Sequence, residues 1–294
     1  MDSKIMEIID NKIIVVDKPR GPSSHQVTAW VRDILGVEKV GHSGTLDPHV
    51  TGILVLGINN ATRLVPYLNF HSKEYIVLAR FHGIVKKEEL EKIANSFVGD
   101  IYQLPPVRAS VKRAVRVREI KELKILEVKE KYVLMDVVSD SGTYMRTLVR
   151  DLGDAYGCGA HMEELRRIST GPYTEKEAVS LYQLKDAVEF CKKGNCEELK
   201  KMCKDPLEIF TIFPKIIVKK AAESAIVYGA NLYKKGILSY TPYNENDIVV
   251  IYNTEQKIIA IGKALKEEPQ KPVVDIERVI AKRENYKKMW KTKE

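Results

Sequence analysis

The sequence contains no run approaching the roughly 20 apolar residues that a membrane-spanning helix needs, and its first residues, MDSKIMEIIDNK, are too polar for a signal peptide. A cytoplasmic location is therefore expected. Cysteine is scarce. Cys158, Cys191, Cys196 and Cys203 form no C-x-x-C pair, so free thiols are expected in a long chain without a secretion signal. The last three also lack the spacing and the nearby histidine of a zinc site, and no metal is expected. Internal repeats and low-complexity segments are absent too. What is present, 294 residues with 44% hydrophobic and 30% charged positions, excludes a disordered tail or a fibrous repeat and suits two packed domains.

Basic residues outnumber acidic ones by 48 to 40, which favours a polyanionic partner. The excess is uneven. From Pro214 onward there are 16 basic and 10 acidic residues, so most of it lies in the last quarter of the chain. A second excess is PPVRASVKRAVRVR at 105–118, with Arg108, Lys112, Arg113, Arg116 and Arg118 and no acid. Its alternation reads as a strand with Val111, Val115 and Val117 inward and a basic face suited to phosphates.

Residues 12–16, KIIVV, read as a buried strand ending in the turn-rich loop Asp17–Pro22. A helix follows, capped by Ser23 or Ser24, with Val27, Trp30, Val31, Ile34 and Leu35 at the spacing of one apolar face; Trp30 is expected in the core. Strands are expected at 53–56, 75–81 and 132–138, and a short helix around Leu90–Phe97. Another helix opens near Tyr144 and ends at Gly157 and Gly159, with Arg146 and Arg150 sharing a face. Strands and helices without regular alternation indicate an α+β fold with antiparallel pairing. A charged helical stretch runs from Leu181 to about Cys203, and after Phe213 short β-rich runs at 216–219, 248–252 and 258–262 suggest a small barrel. Domains of 1–213 and 214–294 are expected, the second ending in a basic tail with Tyr286 and Trp290.

The segment GHSGTLDPHVTG at 41–52 is the most informative. Three glycines, three hydroxyl residues and a proline surround one acid, Asp47, so a carboxylate is presented from a sharply shaped loop. An Asp that hydrogen-bonds its own turn has the same local pattern.

This segment resembles the catalytic loop of the TruB and dyskerin family of pseudouridine synthases. Other motifs of the family occur in the same order: DKPRGPSSH at 17–25, ATRL at 61–64, KEY at 73–75, SGTYMRTL at 141–148 and AHMEELRRISTGPY at 160–173. The part with GANL at 229–232, DIVVIY at 247–252 and Gly262–Ala264 is similar to a PUA domain, a small RNA-binding barrel. The resemblance covers nearly the whole chain. It implies a catalytic domain with a mixed, largely antiparallel sheet followed by a PUA β-barrel.

Members of this family detach uracil from C1′ of a uridine in RNA, rotate it and rejoin it through C5, with no metal or cofactor. The resemblance implies that Asp47 is the catalytic acid, as nucleophile at the sugar or as base at the 2′ position, and that Arg146 pairs with it. Tyr75 matches the aromatic that stacks on the extruded base, Tyr144 a tyrosine of proton transfer or packing, and Leu165 the apolar side of the uracil pocket. Lys18 and Pro19 match a loop with a structural role. His42 matches a histidine near the flipped nucleotide and is expected as an RNA contact. Arg63, Arg108, Lys112 and Arg113 are expected on phosphates, and Gly229 and Ala230 on RNA in the second domain.

Two insertions of the bacterial stand-alone enzymes are missing: Phe81–Lys86 runs straight into a helix, and PPVRASVKR into Ala114–Arg116. This resembles the archaeal dyskerin-like branch and implies the catalytic subunit of an H/ACA guide-RNA particle. Implied partners are the guide RNA, substrate rRNA or tRNA, a zinc-ribbon-like subunit, a glycine-rich-protein homologue and a kink-turn-binding ribosomal-type protein, with no membrane. Only 16 residues precede Asp17, where that branch usually has a longer segment packed on the PUA domain. Two other readings are a guide-independent synthase acting on the tRNA T-arm uridine, which predicts turnover without guide, and a catalytically silent RNA-binding scaffold.

Overall fold

The run Ile13–Lys18 becomes a strand (β1) whose first four residues are fully buried. It is preceded by a helix, α1 (Ser3–Ile9), and followed by α2 (Ser24–Leu35), β2 (Val40–Ser43) and β3 (Thr51–Ile58). Next come β4 (Lys73–Phe81), α3 (Lys87–Asn95), β5 (Gly99–Gln103), β6 (Arg116–Lys129), β7 (Tyr132–Ser139) and α4 (Met145–Tyr156). The series continues with β8 (Ala160–Thr170), β9 (Tyr173–Thr174), α5 (Leu181–Lys192) and α6 (Glu197–Met202). The computed structural model describes residues 3–104 and 114–286. The proposed phosphate contacts Arg108, Lys112 and Arg113, and the tail around Trp290, lie outside them.

The chain divides into two units after Ile209. In the first, one sheet runs in the order β1, β3, β8, β4, β7, β6, β5, with β2 added to β3 and β9 to β8. Among the described strands of this sheet only β3 and β8 pair in parallel, through Thr51 with Arg166 and Gly52 with Arg167. The mixed, largely antiparallel sheet expected from the sequence is present. Each half of the sheet has its own core. Helices α1, α2, α5 and α6 cover β1 and β3, while α3 and α4 cover β4, β6 and β7. The short parallel pair is the seam between them, and the cleft described below opens beside it.

The second unit holds β10 (Lys215–Val218), α7 (Lys220–Val227), β11 (Leu232–Tyr233), β12 (Ile237–Tyr240), β13 (Ile248–Tyr252), β14 (Ile258–Ala264) and β15 (Pro272–Val279). Its sheet order is β11, β15, β14, β13, β10, β12. The two edge strands are separated by only the turn Lys234–Gly236. That turn spans at most about 15 Å, whereas six flat strands would be roughly 24 Å across, so the sheet must curl into a nearly closed barrel.

Several local expectations are corrected. Trp30 is 41% exposed. The buried stripe of α2 is Ser24, Val27, Val31 and Leu35, and Trp30 lies roughly 100° round the helix from its centre. Val115 and Val117 are exposed, because Ile120, fully buried, sets the parity of β6 and turns Arg116 and Arg118 to the partly buried side. The helical stretch after Leu181 is two helices, interrupted where Gly194 adopts φ +100°. Across this break Cys191 and Cys196 form a disulfide, which overturns the expectation of four free thiols. The turn and the burial of both sulfurs bring them together. Cys158 and Cys203 are free, and burial pushes the Cys203 thiol up to about 11.

Candidate active site

Asp47 is fixed by the residues on either side of it. Before it, the fully buried Ser24 hydroxyl accepts from the Leu46 amide at 2.8 Å and donates to the Leu46 carbonyl at 2.9 Å. After it, the Val50 amide donates to the Asp47 carbonyl at 3.0 Å and closes the turn. The ammonium of Lys18, 0% exposed, donates to the carbonyls of Val50 at 2.8 Å, Pro19 at 2.9 Å and Pro48 at 3.2 Å. Burial lowers the Lys18 pKa, and the nearby Asp47 charge opposes that shift. Pro48 also accepts from the Gly21 amide at 2.8 Å. The structural role expected of the Lys18 loop is thereby given a geometry: it fastens the acid-bearing turn.

Arg146 approaches from the other half of the sheet. It sits in the first turn of α4 and places a guanidinium nitrogen 2.9 Å from Asp47 Oδ2. Both side chains are about half exposed, so the pair adds little to stability and its geometry is available to a ligand. The start of α4 is held by Gln103, a buried side chain whose Oε1 accepts from the Tyr144 amide at 2.9 Å and whose Nε2 donates to the Tyr144 carbonyl at 3.2 Å. Nothing local in the sequence marks Gln103, which acts from a strand about forty residues away.

Asp47, Tyr75, Tyr144, Arg146 and Leu165 all line one cleft of about 280 Å³. Tyr75 belongs both to the hydrophobic core and to this lining. Leu165, half-buried on β8, packs on the same core.

Two cations that the sequence reading left without a role lie in the same lining, Lys73 on β4 and Arg167 on β8. Arg167 is 1% exposed; its Nε donates to the Ile53 carbonyl at 2.9 Å, it is hydrogen-bonded to Tyr75, and its Nη2 has no hydrogen-bond partner among the described residues. Burial lowers its pKa. Lys73 is 3% exposed and donates to the Leu68 carbonyl at 3.3 Å. Burial, reinforced by the Arg167 charge and opposed by Asp140, brings its pKa down to about 8. Two glycines make room for Arg167. A Cβ on Gly44, at φ +66°, would lie 2.8 Å from its Nη1, and one on Gly52, at φ +103°, would lie 2.1 Å from its carbonyl oxygen.

The other residues singled out in the sequence lie outside the cleft lining. His42 is held between Thr28 Oγ1, 3.0 Å from Nδ1, and Thr45 Oγ1, 3.2 Å from Nε2, beside the acid-bearing loop. Burial, with His25 and Arg167 nearby, lowers its pKa. Arg63 is exposed at the end of a short 3-10 turn. In the second unit, Gly229 and Ala230 are exposed just past α7, their amides donating to Ile226 and Ala225.

Comparison with known proteins follows the same division. The profile of the TruB family pseudouridylate synthase N-terminal domain matches residues 32–145, that of the tRNA pseudouridylate synthase B C-terminal domain 146–210, and that of the PUA domain 214–269. A probable tRNA pseudouridine synthase B of Archaeoglobus fulgidus is 44% identical, over 97% of this chain and 90% of its own. One of Methanocaldococcus jannaschii is 42% identical over 99% and 89%. Among solved structures, a chain of a Cbf5–Nop10–Gar1 complex superposes with a TM-score of 0.88 at 37% identity, covering 95% of this chain and 88% of that one. A chain of an H/ACA ribonucleoprotein bound to a substrate RNA containing 2′-deoxyuridine gives 0.85 at 35%, covering 97% and 90%.

Proposed function

The chain belongs to the TruB family of pseudouridine synthases, and from that premise we propose that it isomerises uridine as the catalytic subunit of an H/ACA guide-RNA particle. The observation that carries the chemistry is the convergence of Asp47, Arg146, Tyr75, Tyr144 and Leu165 on one cleft. In this reading the target base leaves its stack and enters the cleft against Tyr75 and Leu165. Asp47, oriented by Arg146, then attacks C1′ or removes the 2′ proton. Tyr144, whose backbone is clamped by Gln103, serves proton transfer near C5. His42, Arg63, Gly229 and Ala230 contact RNA, as do Arg108, Lys112 and Arg113.

The guided assignment is supported by the likeness to the chain of a Cbf5–Nop10–Gar1 complex over nearly the whole length. It is supported as well by the direct passage from β4 into α3. Partners on this reading are guide and substrate RNA and small proteins like Nop10 and Gar1. A second reading, a guide-independent synthase acting on tRNA, is favoured by the names of the curated relatives. The test is release of tritium from C5-labelled uridine on bare tRNA and on a guide-paired substrate with the partner proteins. Release confined to the guided mixture supports the particle subunit. Equal release from bare tRNA overturns it in favour of the second reading.

A further inference from the structure

Four charged side chains line the cleft: Asp47, Arg146, Lys73 and Arg167. Arg146 is matched by Asp47. Lys73 and Arg167 form no ion pair among the described residues, yet both are almost fully buried. Burying an unmatched cation is costly, and here the Arg167 charge adds to burial in disfavouring the charged form of Lys73. Such an arrangement persists where an anion is to be received.

We propose that Lys73 and Arg167 form a cationic floor that stabilises the detached uracil as an anion between its two bonds to the sugar. This rests on the reading of the cleft as the uridine site and assigns its charge. When the N1–C1′ bond breaks, the electron pair stays on the base and spreads over N1, O2, O4 and C5. Meanwhile C1′ is taken by the Asp47 carboxylate, or the 2′ proton passes to Asp47 and a C1′–C2′ double bond forms. On rejoining, the pair makes the C5–C1′ bond, Asp47 is released or returns its proton to C2′, the C5 hydrogen leaves as a proton and N1 gains one. No net charge or electron is exchanged, so the floor acts only while the base is free. It is preorganised: Gly44 admits the guanidinium and Gly52 the Arg167 backbone, the Ile53 carbonyl and Tyr75 orient the guanidinium, and the Leu68 carbonyl holds the ammonium. Fixed cations directed at developing negative charge in a shielded site are an effective form of transition-state stabilisation.

The groups that face Lys73 are Arg167 from β8, Asp140 after β7 and His71 in the preceding turn, with Tyr75, Asp47 and Arg146 across the cleft. Asp140 is about half exposed and lies 3.6 Å from Lys121, which leaves the floor net positive.

The test places 5-fluorouridine at the target position of an RNA that the native chain turns over, bound to the otherwise complete protein carrying Asp47→Asn. The ¹⁹F shift reports ionisation of the base imide without turnover. The midpoint is expected to fall by about one pH unit or more relative to free RNA, and to return towards the free value when Lys73→Gln is added. Lys73→Gln keeps a donor for Leu68 without the charge. In the active protein it should slow single-turnover tritium release by about 100-fold or more with RNA affinity within about twofold, and Lys73→Arg should recover part of the rate. Equal ¹⁹F midpoints with and without Lys73→Gln, or an unchanged rate in Lys73→Gln, overturn the proposal. Absence of release by the native chain instead overturns the reading of the cleft.

Discussion

The ammonium of Lys18 lies 2.8 Å from the carbonyl oxygen of Val50, three residues past Asp47, and spends its other protons on Pro19 and Pro48. A buried cation that satisfies three carbonyls of two loops is a crosslink. It explains why the acid-bearing loop keeps a fixed shape although Asp47 itself is half exposed.

Lys18→Met should therefore act on both stability and catalysis. The buried Val50 carbonyl left without a donor costs roughly 1–3 kcal/mol, measured by denaturant unfolding. Turnover should fall more than RNA affinity, because the loop that positions Asp47 loosens while most RNA-contacting surface is untouched. A variant as stable and as active as wild type would remove the crosslink from the account.

Lys73 has the opposite energetic sign. With its pKa lowered to about 8 from the ordinary 10.5, it is charged in both folded and unfolded chains below pH 8, and the fold carries the full cost of burying it, about 3 kcal/mol. Between about 8 and 10.5 only the unfolded chain holds the proton, so this cost is relieved as pH rises through that window. Lys73→Met should raise stability at pH 7 by roughly 1–3 kcal/mol, with the gain shrinking above pH 8. Unfolding curves at pH 7 and pH 10 measure the difference. A loss of stability at pH 7 would contradict the assigned cost.

The Cys191–Cys196 disulfide predicts that the denatured, unreduced chain exposes two reactive thiols, and four after reduction. Closing so short a loop contributes about 2 kcal/mol, so reductant should lower the thermal midpoint of the native protein and leave Cys191→Ala unaffected. Four thiols before reduction would contradict the pairing.

What the sequence revealed follows from the range of the interactions concerned. Asp47 and Arg146 stand in local motifs with glycines and a helix start beside them, and both were legible. So were β1, β3, β4 and β7, which hold apolar runs, whereas the largely polar β8, whose parallel pairing makes the sheet mixed, carries no strand signal and the mixed sheet is implied by the family resemblance. Trp30 misled because it sits on the edge of an apolar stripe whose centre only packing reveals. The parity of β6 depends on which residue meets the core, Ile120, and alternation alone fits either face. Gln103 clamps Tyr144 across 41 residues, and Lys73 meets Arg167 only through the neighbouring strands β4 and β8; such pairings leave no trace in spacing. The disulfide leaves no signal in the sequence, where four cysteines without a C-x-x-C pair or a secretion signal read as free thiols, whereas the pair is fixed by a buried turn.

In the proposed function Asp47, held by Lys18 and Ser24 and paired with Arg146, is the carboxylate that detaches the base. The most direct measurement is single-turnover tritium release from C5-labelled uridine by wild type and Asp47→Asn, together with RNA binding by both. A fall of at least about 10⁴-fold in rate with affinity within about threefold is the predicted result. Release by Asp47→Asn at a rate comparable to wild type would contradict it.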